Sequence, residues 1–258
     1  MPRILAAALI AATLSVAWGQ LPAAPAFEAA SIKPTSPGKV GGGINTSAAR
    51  IRIMNFSLKF CIQIAWNVKD FQVSGGAGWM ENERYDIEAV ASSPFKEGEY
   101  RTMLQTLLAD RFGLVTHREM HERSGYALVS GRSGAKLSPP EGEPGITFDR
   151  TPTGDVTLKA ASANMSLLAG ALSTSLGTTV VDRTGIDGLF NASLQFTPDP
   201  ATQPRVSKSG TPLPAPTADT AGPSIFSALQ ETLGLRLEAI KVPVEMIVID
   251  RANRPTTN

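Results

Sequence analysis

Asn55-Phe56-Ser57-Leu58 and Asn164-Met165-Ser166-Leu167 are near-copies about 110 residues apart, and each precedes an apolar stripe at helical spacing. The first stripe is Leu58, Cys61, Ile62, Ala65 and Trp66; the second is Leu168, Ala171, Leu172 and Leu176. Asn or Ser at such a start supplies an oxygen for the orphan N–H groups of a first helical turn. A second echo follows at a spacing of 121 residues. Leu108-x-x-x-Phe112-Gly113-Leu114 matches Leu229-x-x-x-Leu233-Gly234-Leu235, a helix end closed by a glycine in the left-handed region. Two echoes in one order predict an α+β protein built as a tandem duplication of a small βαβαββ unit, that is, two similar subdomains.

Working outward, Phe27–Lys33 alternates as a strand, Ile44–Met54 is extended, and Arg84–Val90 puts Tyr85, Ile87 and Ala89 on one face. Tyr100–Phe112 is a helix. Val115–Glu122 and Tyr126–Ser130 predict a hairpin turning near Ser124-Gly125. In the second half, Gly154–Ala160 is extended, Phe190–Phe196 is a strand and Ser224–Leu233 a helix. Arg236–Lys241 and Val244–Asp250 predict a second hairpin across Pro243. The expected subdomains are 27–131 and 147–254, joined by a Gly/Pro/Ser/Glu-rich linker at 132–146. Residues 198–223 hold seven prolines and no periodic apolar face, and are expected to be an insertion between a strand and the last helix.

The chain has 258 residues, 42% of them apolar and 18% charged, with 24 Lys+Arg against 23 Asp+Glu. This is enough apolar material for a packed core and too little basic charge for a nucleic-acid face. One cysteine, Cys61, excludes an intramolecular disulfide and any multi-cysteine metal site; on a helical apolar face it is expected to be buried. Arg3, the uncharged run Ile4–Ala17 and the small residues Ala17 and Gly19 have the order of a secretory signal, residues 1–19, followed by a leader at 20–26. The run is about 14 residues, short of the roughly 20 that span a bilayer. The expected location is secreted or periplasmic, with no transmembrane span after cleavage.

Catalytic and metal signatures are weak. His117 and His121 are the only histidines, and in His-Arg-Glu-Met-His neither glutamate position of a zincin helix is met, which leaves at most a weak site with Glu119. Asp182-Arg183-Thr184-Gly185 resembles the Asp-Thr-Gly loop of aspartic proteases, but Arg183 interrupts it and the first half has no partner loop. Asp182, Thr184 and Gly185 are therefore expected to organise a turn. Ser74–Gly78 lacks the Lys-Ser/Thr ending of a phosphate loop. Gly76 with Trp79 and Tyr85 remain as candidate recognition residues, and no cofactor is expected.

The segments Phe27–Pro34, Phe71–Gly76 with Gly78-Trp79, Arg84–Ala89, Leu107–Phe112, Val181–Gly185 with Asp187-Gly188, and Gly222–Phe226 together resemble a paralogous family of exported "soil-associated" proteins. That family carries a domain of unknown function and occurs chiefly in acidobacteria. The resemblance spans nearly the whole mature chain and implies export but no activity. Related domains attached to sensor-type membrane metallopeptidases imply a sensing or envelope role. Each half, through Ser166–Leu172 and Ala228–Leu235, is also similar to the short domain that opens secretins and signalling TonB-dependent receptors. The expected function is a non-catalytic binding or sensing module of the cell envelope, recognising an envelope protein or polymer and no nucleic acid. The alternative is a secreted or periplasmic hydrolase using carboxylates such as Asp86, Glu88 or Asp182.

Overall fold

The computed structural model describes residues 25–96, 98–151, 154–199 and 222–255. The expected signal sequence at 1–19 and most of the proline-rich stretch 198–223 lie outside the described residues. The fold is α+β and contains three sheets. In the first, β1 (Ala29–Pro34), β5 (Arg84–Val90), β3 (Arg50–Ser57) and β2 (Gly43–Ser47) lie side by side, all antiparallel. In the second, β10 (Phe190–Phe196), β8 (Val156–Ala163) and β7 (Gly145–Arg150) repeat the antiparallel order. The third is built on two long antiparallel strands, β6 (Val115–Ser130) and β11 (Leu235–Arg251). The three-residue strand β4 (Val73–Gly75) adds parallel to β11, and β9 (Val180–Asp182) adds parallel to β6.

The helices sit where the periodicity put them. Helix α1 (Leu58–Trp66) starts at Ser57, whose hydroxyl accepts the Phe60 N–H. Helix α4 (Met165–Leu176) starts at Asn164, whose side chain accepts the Leu167 N–H at 2.8 Å. The caps correct the first sequence echo: the residue that occupies the position of Asn164 is Ser57, not Asn55. Asn55 instead has a φ of 60°, inside a bulge where the β3–β5 register slips, and Ser162 has a φ of 40° where β8 and β10 slip. Short helix α2 (Trp79–Asn82) follows β4, and α3 (Glu99–Phe112) ends at Gly113 as expected. Helix α5 (Ile225–Ala228) continues into a π-helical turn, Leu229–Leu233, that Gly234 closes.

Both expected hairpins are absent. Strands β6 and β11 each run straight through the supposed turn, because Ser-Gly and Pro have other uses here. A Cβ on Gly125 would lie 2.6 Å from the Thr179 carbonyl oxygen and 2.9 Å from Val242 Cγ2, so glycine marks a close approach of β6 to the chain leading into β9. Along β11 the carbonyl of Glu245 points away from β6, to Gln72 Nε2 at 3.1 Å. N–H and C=O alternate sides along a strand, so Pro243 also has its nitrogen on that outer side. The missing donor therefore removes no bond to Glu122, its partner in β6.

Two principal cores result. One joins Ile51, Ile53, Leu58, Cys61, Ile62, Ile87, Leu104, Leu108 and Phe112; the other joins Leu158, Leu168, Leu172, Phe190, Leu194, Phe196 and Leu229. The long strands cross between them. Ile247 and Ile249 near the end of β11 complete the first core, while Leu128 near the end of β6 joins the second. A smaller cluster, Val242, Val244 and Met246 with Phe71 and Val181, lies on the other face of the ribbon. Among the described residues, no helix is long and apolar enough to cross a membrane.

Candidate functional site

The predicted recognition residues are drawn into structure. Gly76 has a φ of 83°, and a Cβ there would meet Met80 Sδ at 2.7 Å. Its role is the tight turn from β4 into α2. Tyr85 is only 3% exposed, set edge-on against Phe112 with ring centroids 5.2 Å apart, and its hydroxyl donates to Glu83 Oε2 at 2.9 Å. Burial and that hydrogen bond push the phenol above its usual range. Trp79, half-buried, lies under the guanidinium of Arg254 at 5.2 Å. Arg254 Nε and Nη2 both donate to Glu83, at 3.0 and 2.6 Å, and this pairing holds the glutamate below the usual carboxylate range. Trp79 and Tyr85 are thus brought together as a latch on the C-terminal segment. Nothing in the sequence around Arg254 signals it, because its partners stand some 170 residues away.

Asp182, Thr184 and Gly185 form a separate, self-contained turn at the end of β9. Asp182 Oδ1 accepts the Thr184 N–H at 2.9 Å and its hydroxyl at 2.8 Å, and Thr184 Oγ1 accepts the Ile186 N–H. Gly185 takes a φ of 68°. These are the bonds of an Asx turn.

The other two candidate carboxylates are also engaged. Asp86 Oδ1 accepts the Asn55 N–H at 2.8 Å and the Thr35 hydroxyl at 2.9 Å, while Oδ2 pairs with Lys39 Nζ at 2.8 Å. Partial burial opposes its ionisation, but the bonds from Lys39, Asn55 and Thr35 outweigh it and hold the carboxyl below its usual range. At the second bulge the same task falls to a neutral side chain: Asn191 Oδ1 accepts the Ser162 N–H at 2.7 Å. Glu88 pairs with Arg52 across β3 and β5, through Nε at 2.7 Å. Cys61 is fully buried and its thiol is pushed up to about 12, as expected for a core residue.

His117, Glu119 and His121 share one exposed face of β6. Each imidazole takes a different oxygen of Glu119, His117 Nε2 at 2.8 Å and His121 Nε2 at 2.5 Å, and His117 Nδ1 faces Asp250 at 2.9 Å. The bonds to Glu119 and Asp250 raise the pKa of His117. Because Glu119 separates the rings, the donors do not converge. Among the described residues, no group of three His, Cys, Asp or Glu side chains could hold a metal ion.

The main feature that sequence reasoning misplaced is the outer edge of β6. The N–H of Tyr126 and the C=O of Leu128 face outward, bonded to Thr179 and Arg183, and the Ser124 carbonyl accepts the Thr178 hydroxyl at 2.7 Å. By alternation, Thr116, Arg118, Met120 and Glu122 also aim their N–H and C=O groups outward. No strand of the described residues pairs with them on that side. Met120 is 64% exposed. Val115–Glu122 was expected to be a strand, but the expected turn at Ser124-Gly125 cut it short.

The fold is that of an α+β protein in which, among the described residues, part of the edge of β6 pairs with no strand. The chain matches, over residues 59–252, the family described as "Protein of unknown function (DUF3738)", and it belongs to that family. No curated protein and no solved structure matches it.

Proposed function

We propose that this is an exported, non-catalytic binding module of the cell envelope, secreted or periplasmic, which takes an extended segment of a partner protein along the outer edge of β6. The observation that carries this reading is the row of four outward-facing, strand-free residues, Thr116, Arg118, Met120 and Glu122. Adding a strand there satisfies main-chain donors and acceptors, and side chains on alternate sides supply selectivity. The β11 edge is less suited, since Pro243 lacks a donor and Gln72 already occupies the Glu245 carbonyl. Against the hydrolase alternative stand the bonds that occupy Asp86, Glu88 and Asp182.

A tandem duplication belongs to the same proposal. It is supported by the matching sheet orders, by the paired bulges at Asn55 and Ser162, and by the reciprocal addition of β4 to β11 and β9 to β6. Export is supported by the order of residues 1–19, and N-terminal sequencing of the cell-derived protein should begin at or near Gln20.

The binding test is a displayed library of ten-residue segments selected on the full chain, with amide exchange of the complexes read by NMR. Selected binders should protect the N–H groups of Thr116, Arg118, Met120 and Glu122. Glu122→Pro should abolish capture while the far-UV spectrum is unchanged, since it puts proline at an outward position across from Pro243. Binders that leave those four amides unprotected would refute the proposal. So would substrate turnover lost on a single carboxylate-to-amide change.

A further inference from the structure

A cleft of about 440 Å³ opens beside the start of α3, lined by Thr46, Phe95, Lys96, Gly98, Tyr100 and Arg101. Its walls are fixed from several directions. The Phe95 N–H donates to the Ala48 carbonyl at 2.9 Å, which ties the loop to the β2–β3 turn. Phe95 and Tyr100 stand with ring centroids 5.9 Å apart, inclined at 50°, so that they form two sides of a corner rather than a closed stack. Arg101 lies over the Tyr100 ring at 5.5 Å and donates through Nη1 to the Ile64 carbonyl at 3.1 Å. A guanidinium has five N–H donors, so this one is held in place with most of them uncommitted. The Glu99 carboxylate accepts the Lys96 backbone N–H at 2.8 Å, which fixes the loop against the first turn of α3. Lys96 Nζ takes no hydrogen bond or ion pair among the described residues.

Two aromatic rings, a positioned guanidinium, the Lys96 ammonium and a hydroxyl on Thr46 are complementary to one ligand chemistry. Sugar rings lay their C–H faces on aromatic side chains, and a carboxylate on the ring takes charge-assisted bonds from Arg and Lys. A neutral sugar leaves both cations unanswered, and a small inorganic anion leaves the rings uncovered. We propose that this cleft binds a hexuronate unit, the carboxylate-bearing sugar of an acidic polysaccharide. The site is remote in role from β6 and does not rest on strand addition.

The test is calorimetric titration of the full chain with trigalacturonate, with maltotriose as the neutral counterpart. Saturable binding is expected at about 0.1–1 mM, weakening as salt is raised, with no heat from maltotriose. Lys96→Ala should weaken binding about 5–10-fold, and Phe95→Ala at least as much. Lys96 is exposed, so its variant keeps the fold and isolates the charge. No saturable heat up to about 10 mM from the folded wild type, equal affinity for maltotriose, or unchanged affinity in both variants would each overturn the assignment.

Discussion

Replacing Asp86 with asparagine should be nearly silent, whereas replacing it with alanine should not. Its Oδ1 holds the β3 bulge by accepting the Asn55 N–H and the Thr35 hydroxyl, and its Oδ2 pairs with Lys39. Asparagine keeps the accepting oxygen, as Asn191 does at the other bulge. It gives up only the ion pair, whose partners are 33% and 25% exposed. Such a pair is worth about 0–1 kcal/mol. Alanine leaves the partly buried Asn55 N–H and the Thr35 hydroxyl without their acceptor, at about 1–3 kcal/mol. Urea unfolding followed by tryptophan emission should therefore place the two variants on clearly different midpoints with one slope. The pH dependence carries the same signature. The folded carboxyl lies below its usual value, so its contribution is complete above about pH 3.9. That contribution is lost as pH falls through the depressed folded value. The asparagine variant should lose this acid sensitivity and keep its stability at neutral pH. Equal destabilisation by both substitutions would refute the structural role of the oxygen, and so would a neutral alanine variant.

Ile247→Ala should cost about 2–5 kcal/mol, and because β11 serves both cores, Trp66 emission and near-UV bands from Tyr126 should report one shared transition in urea. Separate transitions would contradict the coupling. Gly125→Ala should destabilise by about 1–3 kcal/mol through its clash with the rigid Thr179 carbonyl, measured by thermal unfolding, whereas Gly78→Ala, with open space around it, should not. Arg254→Ala should uncover Trp79 and shift its emission to the red, with little change in the overall melt because the Arg254–Glu83 pair is exposed.

The longer helices and several strands of the two antiparallel sheets were legible because their signals are local. Phe190–Phe196 and Arg84–Val90 match the sequence expectation residue for residue, and Gly113 and Gly234 stop their helices where glycine in the left-handed region should. The ribbon was not legible. Ser124-Gly125 and Pro243 are turn signals in a free peptide, and only neighbours far along the chain convert them into a close approach and an outward edge. Strand β7 was also missed: Gly145 and Ile146 lie in the stretch expected to be a link, and 147–150 was assigned no element, although the strand pairs with β8. For the site, Asp182 accepts the Thr184 N–H within its own turn, while the sequence left Trp79 and Tyr85 between a recognition patch and core, because it does not show that Arg254 and Glu83 meet.

The crossing of β11 into the first core sets an order of events for a chain made from its N-terminus. Val73 of β4 must wait for Ile247, so the sheet that closes over α1 stays incomplete until residue 247 is available. Pairings so distant along the chain close slowly. A nascent or translocating chain carries its first half as an open, unfinished structure, and a premature stop near residue 240 deprives the N-terminal core of Ile247 and Ile249. If the protein is exported as proposed, that delay keeps the first half threadable until Ile247 and Ile249 arrive, and its final fold is then set on the far side of the membrane.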